Sequence, residues 1–341
     1  LITFAVSDSA TGKEAVLQAV TELLRSAGVA KALYGRIKSE QEIVRNLIRN
    51  QASYYVIDEY GTELSKVSRA KKNGGAQYLA AVPELIMSIF TKADDYYQVS
   101  GDMAEDLHAM ISQQLAAANK RADSGDKKAE AEAEQLQKQL ASCYDGIKQP
   151  FLTFMGITEP RSFDEAISTN TDLLVNGFIG RALLFREHDA MPRARLGYEK
   201  KPVPMLLQQQ LAALANGGET REAYSPVVAA ENPEVIPMTE KAEQLLAAIS
   251  EHWYAEGAIL EQAGQGLQTI TRRAWEMVIK LAATLSIRAD GQPPTITDEH
   301  VSAAQKIIKE ITAFKVAHCK TVLGASSRDI QERSSGLLSG V

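Results

Sequence analysis

The sequence predicts an α/β fold on a mostly parallel sheet, with a helical insertion and an all-α C-terminal lid. Three observations carry this prediction. Short apolar, β-branched runs alternate with helical-period stretches through the first half, a polar Ala/Gln/Lys/Glu-rich stretch interrupts them, and beyond residue 237 apolar positions recur at helical spacing only. The expected organisation is a core over 1–190 with a helical hairpin at about 102–149, and a linker over 191–237. A helical lid or winged-helix-like domain over 238–325 and a tail over 326–341 follow.

The first element reads as strand, tight loop and helix. "LITFAV" is a short apolar run, "SDSATGK" supplies turn-forming residues, and Val16, Leu17, Val20, Leu23 and Leu24 recur at helical spacing up to Gly28. A loop at that place aims backbone N–H groups and a helix N-terminus at an anion, and Lys13 at its mouth can pair with β- and γ-phosphate oxygens. The pattern GxxxxGK followed by Ser or Thr is kept at Gly12 and Lys13 and broken at Ser7 and Glu14. The candidate phosphate-binding residues are therefore Ser9, Ala10, Thr11, Gly12, Lys13 and Glu14. Without the usual hydroxyl after the lysine, a magnesium ion would lean on Asp58, on water or on Glu14 itself; otherwise Glu14 is a first-turn acid favoured by the helix dipole.

"ASYYVIDEYG" is an apolar strand ending in adjacent carboxylates. Beside a phosphate loop, Asp58 would hold magnesium through its water shell and Glu59 would orient and deprotonate the attacking water. The plainer reading is a surface turn after a buried strand. "AQYLAAVPELIMSIFTKADD" is expected to be helical around a Pro83 break, and "YYQVSG" a short strand. Residues 102–149 read as helix, polar turn near Ser124–Asp126 and helix, either a solvated insertion or a contact surface for a subunit or strand.

"PFLTFMGITEP" returns to a buried-strand pattern ending in Thr158 and Glu159. A strand ending in a polar residue between the phosphate loop and the acidic strand can sense a γ-phosphate; Thr158 is the candidate, or else a strand-end cap. "NGFIGRALLFRE" sets Arg181 between a Gly-rich turn and another strand, as an arginine finger for a neighbouring subunit or as a salt-bridge partner. In the C-terminal helices, Thr239 and Thr297 read as N-caps with acidic first turns. Arg69, Lys71 and Lys72, with Gly74 and Gly75, form a basic loop that either touches nucleic acid or is a solvated charged turn.

Composition narrows the classes. The chain has 341 residues, 45% hydrophobic and 23% charged, a soluble globular balance, and no apolar run reaches the length of a membrane span. A net charge of -6 argues against a broad basic surface for nucleic acid but leaves room for a few pore loops of a ring. Cys143 and Cys319 match no metal or disulfide spacing, which suits a reducing cytoplasm, and the five histidines form no zinc-binding cluster. The chain opens at Leu1 already within a strand-like run, so a preceding segment is expected.

Taken together, "SATGKEAVLQAV", "YYVIDEYG", "FLTFMGITEP", "NGFIGRALLF" and "RRAWEMVIKLA" resemble the helicase-like ATPase domain of prophage and plasmid primase-helicases. The last stretch, with Arg273, Glu276 and Lys280, also looks like the lid helix of replicative ring helicases, in which the arginine reaches an ATP phosphate. The resemblance implies a P-loop NTPase core of the AAA+/RecA-like kind, ATP and Mg2+ as cofactors, and Arg273 as a phosphate contact. It further implies a homo-oligomeric ring, hexameric in form, moving on single-stranded DNA during replication of a mobile element, with a primase domain N-terminal to it. Two other classes stay open: a nucleotide-gated assembly or regulatory ATPase with little DNA-stimulated turnover, and a small-molecule kinase, for which no acceptor site is evident.

Overall fold

The computed structural model describes residues 2–8, 12–65, 81–175, 177–186, 202–215, 235–262, 266–288 and 292–338. Five strands make one parallel sheet: β1 (Ile2–Val6), β2 (Leu33–Tyr34), β3 (Ala52–Ile57), β6 (Phe151–Thr158) and β7 (Ala182–Arg186), in the order β2-β3-β6-β1-β7. The short strands β4 (Tyr96–Tyr97) and β5 (Ile147–Lys148) pair antiparallel as a separate ribbon. Mixed α/β architecture with a mostly parallel sheet is thus established.

Period-two alternation explains the core. Ile2, Phe4 and Val6 are buried while Thr3 and Ala5 are half-covered, so one face of β1 carries the larger apolar side chains. Phe4 is the hub: its ring lies 5.8 Å from those of Tyr60, Phe154, Phe163 and Phe178, which come from four different segments. Parallel strands need crossovers, and these are supplied by α1 (Lys13–Ser26), α2 (Glu40–Arg49), the long excursion between β3 and β6, and α6 (Pro160–Thr169) with the short α7 (Asp172–Val175). Helix α2 buries Ile43, Val44, Leu47 and Ile48 and is capped by Ser39, whose Oγ accepts from Glu42 N at 3.2 Å.

The expected hairpin is α4 (Gly101–Ala122) and α5 (Lys127–Asp145), preceded by α3 (Val82–Thr91). Gly125 takes a left-handed φ of 91° in the turn, and Asp126 caps α5 by accepting from Lys128 N and Ala129 N. Leu107, Ile111, Ala118, Ala129, Leu136 and Cys143 form the buried seam between the two helices, and the β4–β5 ribbon closes the base. Pro83 lies in the first turn of α3, where its missing N–H costs nothing, and residues 76–80 of the stretch expected to be helical lie outside the described residues.

The C-terminal unit packs α9 (Glu240–Glu261), α11 (Ala274–Ser286) and α12 (Asp298–Leu338) around Trp253, Met277, Val278 and Ile308, with α10 (Gln268–Arg272) linking it to the sheet core. Three expectations change here. The winged-helix alternative finds no hairpin wing: among the described residues this unit has only the isolated bridge between Met238 and Ile296. The tail expected from 326 is a continuation of α12, because no proline interrupts the run and Gly324 sits within the helix. The linker expected over 191–237 contains α8 (Met205–Ala215), whose Leu211 packs against Ala27, Val29 and Ala32. Thr239 caps α9 by accepting from Ala242 N at 3.3 Å, and at the start of α12 Thr297 N–H donates to His300 Nδ1 at 3.2 Å.

Helix α12 is tied to the sheet by one buried cation. Lys315 Nζ, fully shielded from solvent, donates to the carbonyls of Ile179, Gly180 and Ala182 at 3.4, 3.1 and 2.9 Å, the turn that leads into β7.

Candidate functional site at the carboxyl edge of the sheet

In an open parallel sheet, ligands bind outside the carboxyl ends of the strands where the strand order reverses. That place is beside β1, from which the chain leaves for the β2 edge and to whose other side it returns at β7. Val6 pairs with Thr158, so β1 and β6 end level, and Ile57 pairs with Gly156, so β3 ends two residues earlier on the adjacent strand. Neighbouring strands lie roughly 4.8 Å apart and two residues span roughly 6.6 Å, so these three strand ends fit within about 12 Å.

Gly12 precedes α1 with a left-handed φ of 85°, a conformation glycine takes freely, and Lys13 is the first residue of that helix. Lys13 Nζ lies 3.7 Å from Glu159 Oε1 and only 13% of its side chain is exposed. Glu14 is exposed in the first turn. Ser9, Ala10 and Thr11 lie outside the described residues, as do Arg69, Lys71 and Lys72.

Asp58 and Glu59 form a tight exposed turn after β3. Asp58 Oδ1 accepts the Glu59 N–H at 2.9 Å, Glu59 O accepts from Thr62 N at 2.9 Å, and Glu59 holds a left-handed φ of 51° that is costly outside glycine. Gly61 is what lets this turn approach β6: a Cβ there would overlap Thr158 Oγ1 and stand 2.9 Å from Ser162 Cβ. Thr158 itself is buried, its backbone carbonyl accepts from Ser7 N at 3.1 Å, and its hydroxyl donates to Glu159 O at 3.3 Å.

A cleft of about 480 Å³ opens beside Lys13, floored by β1 and the end of β7 and roofed by Ile311 and Phe314 of α12. Arg186, the last residue of β7, lines it, and so does Glu310. Arg186, Glu159 and Gly61 were not assigned roles from sequence. The strand-end logic that selected Thr158 selects Arg186 equally, since both are the last residues of strands flanking β1.

Arg181 and Arg273 are elsewhere. Arg181 directly precedes Ala182, which pairs with Ile2 at the start of β1, so it stands at the amino edge of the sheet. The five paired residues of β1 put that edge roughly 15 Å from the carboxyl edge. There Arg181 is half-buried with Nη1 at 3.9 Å from Met87 Sδ, and Arg273 Nη1 pairs with Glu276 Oε1 at 2.7 Å. Lys280 Nζ sits 5.4 Å above the Phe90 ring. Burial, then the neighbouring Arg273, lowers the pKa of Arg181; burial is also the main cause lowering that of Lys280. Among the described residues three cations thus share one carboxylate, and neither Arg181 nor Lys280 has an ion pair.

Among the described residues no group of three or more His, Cys, Asp or Glu side chains could cage a metal, and no helix is long and apolar enough to cross a membrane. The chain matches no protein-family model, and no curated protein or solved structure is detectably similar to it.

Proposed function

We propose that the carboxyl edge is a nucleoside triphosphate site and the fold a P-loop NTPase of the AAA+/RecA-like kind, hydrolysing ATP. One observation carries the reading: three adjacent strands, β3, β6 and β1, lead at the same edge of the sheet to an acidic pair, a buried threonine and a lysine at a helix N-terminus. In this reading α1 and Lys13 hold the phosphates, Glu59 orients the attacking water, and Thr158 registers the terminal phosphate through the turn that Gly61 allows against it. Two adjacent carboxylates rather than a cage suit magnesium, which keeps waters and phosphate oxygens in its shell, so Asp58 would hold it and the ion would neutralise charge on the phosphates.

The amino-edge arginines support an assembly of several copies, in which Arg181, and Arg273 beside it, serve a neighbour's site. Movement of such a ring on single-stranded DNA is the motor form of this proposal. A nucleotide-gated assembly with little turnover is the second form, favoured by Glu159, whose carboxylate 3.7 Å from Lys13 Nζ would compete with a phosphate for the lysine.

Purified protein assayed for ATP hydrolysis with and without single-stranded DNA, beside Lys13→Ala and Glu59→Gln, tests both. Turnover stimulated by DNA and lost in both variants supports the motor. ATP binding without turnover above that of Glu59→Gln supports gated assembly, and no ATP binding at all refutes the site.

A further inference from the structure

Two cations face the cleft, and each is held by a carboxylate from one short stretch of chain. Lys13 is paired with Glu159, which precedes α6, and Arg186 is paired with Asp164, within α6. Both contacts are long: 3.7 Å for Lys13 and 3.4 Å for Arg186, against 2.7 Å for Arg272 with Glu261 on the surface. Charge-assisted hydrogen bonds between such groups run to about 2.7–2.9 Å, so both cleft cations are loosely engaged.

Asp164 does not depend on Arg186. His318 Nε2 lies 2.8 Å from Asp164 Oδ1, and Arg186 Nη1 stands 3.1 Å from Nδ1 and 3.3 Å from Nε2 of the same ring, so the imidazole bridges the acid and the guanidinium. The imidazole is stacked with Phe163 of α6 at 6.1 Å and Phe314 of α12 at 5.7 Å, so its position is fixed by packing from two helices. If Arg186 turns away, Asp164 keeps a short partner on a rigid ring and no buried charge is stranded.

The charge balance of the cleft gives Arg186 something to turn toward. Lys13 is matched by Glu159, which stands outside the lining, and Glu310 is a carboxylate of the lining itself. Without Arg186 that set is net negative, a poor host for phosphate. Arg186, only 18% exposed and at the end of the strand beside the loop strand, is the cation that brings that set to neutrality. Its planar fork also suits phosphate better than a point charge does.

We infer that Arg186 is a second phosphate-binding cation of the Lys13 cleft, held in reserve by Asp164 and His318, and that phosphate in the cleft competes with Asp164 for it. This rests on the proposed nucleotide site at Lys13. It adds a regulatory consequence, because the Asp164–Arg186–His318 cluster joins α6, β7 and α12: filling the cleft removes Arg186 from that junction and leaves α12 tied to α6 through His318 alone.

Calorimetric titration of the full chain with magnesium ATP tests the assignment, with thermal unfolding confirming that each variant folds. Arg186→Gln is expected to weaken binding roughly tenfold or more, as loss of a charge-assisted phosphate contact does, and Arg186→Lys to weaken it less. Asp164→Asn is expected to tighten binding by about threefold, since it removes the competitor while leaving a side chain of the same shape. The double variant Asp164→Asn/Arg186→Gln should bind like Arg186→Gln alone. A cluster that only staples α12 to α6 moves Asp164→Asn in the opposite direction, and that result overturns the assignment. Loss of binding in Lys13→Ala with full binding in Arg186→Gln also overturns it while sparing the nucleotide site. No binding by the parent protein overturns both.

Discussion

Replacing Lys315 by Met removes the buried ammonium while keeping a flexible side chain of similar length, and its consequence depends on pH. Burial pushes the Lys315 pKa from its ordinary 10.5 down to about 8. Between those values the unfolded chain still holds a proton that the folded chain has released, so stability rises with pH through that window. Below it the folded protein carries a charge whose burial costs a net of roughly 3 kcal/mol; methionine escapes that cost but leaves three carbonyls without their donor, at about 1 kcal/mol each. At about pH 7.5 the variant is therefore expected within about 1 kcal/mol of the parent. From about pH 7.5 to about pH 9.5 Lys315 alone adds about 2 kcal/mol to the parent and nothing to the variant. Buried thiols oppose this rise, since burial pushes the Cys319 pKa up to about 12 and raises that of Cys143, so their protons are kept on folding. The readout is accordingly the difference between parent and variant in urea unfolding free energy at the two pH values. Equal slopes for the two proteins would refute the reasoning and mean that the carbonyl acceptors fully replace the lost hydration.

Gly61→Ala should destabilise by about 1–3 kcal/mol, because its Cβ overlaps the Thr158 hydroxyl and the turn must retreat from β6. A lowered melting temperature checks this, and a larger proportional loss of ATP turnover than of stability would tie the turn to chemistry. Thr239→Ala removes the oxygen that accepts from Ala242 N and should cost about 1 kcal/mol, measured by urea unfolding of the C-terminal helices.

Legibility of the sequence followed the length of each signal. Strands β1, β3 and β6 show as apolar runs, and the α4–α5 hairpin shows as a polar helical stretch with a turn at Gly125. Strand β2 has two residues and no periodicity to read, so the sheet edge it forms was silent. Helix α8 was hidden inside a stretch judged by its Pro- and Gly-rich ends, although "MLLQQQLAALA" has few helix breakers. At the candidate site, Lys13, Asp58, Glu59 and Thr158 could be named because each follows or ends a recognisable strand. Arg186 ends a strand too, but its significance comes from Asp164 and His318, which lie 22 and 132 residues away in sequence and meet it only in three dimensions. The roles expected of Arg181, which precedes β7, and of Arg273, which lies between α10 and α11, rest on motif position, and motif position carries no information about the edge of the sheet at which such a residue stands.

The separation of those two edges makes the assembly proposal testable without an image of an oligomer. Lys13 and Arg181 stand at opposite ends of β1 and β7, roughly 15 Å apart along the strands, so they do not meet on one nucleotide within a single copy. A head-to-tail contact would bring one copy's amino edge to the next copy's carboxyl edge, and repeating that contact closes a ring. Lys13→Ala and Arg181→Ala should then each be inactive alone, while an equimolar mixture recovers up to about a quarter of parental hydrolysis, the share of interfaces that combine an intact lysine with an intact arginine. Specific activity of the parent should also rise with protein concentration. Absence of both effects, with each variant folded, would confine hydrolysis to single copies and leave the cations at the amino edge without a part in it.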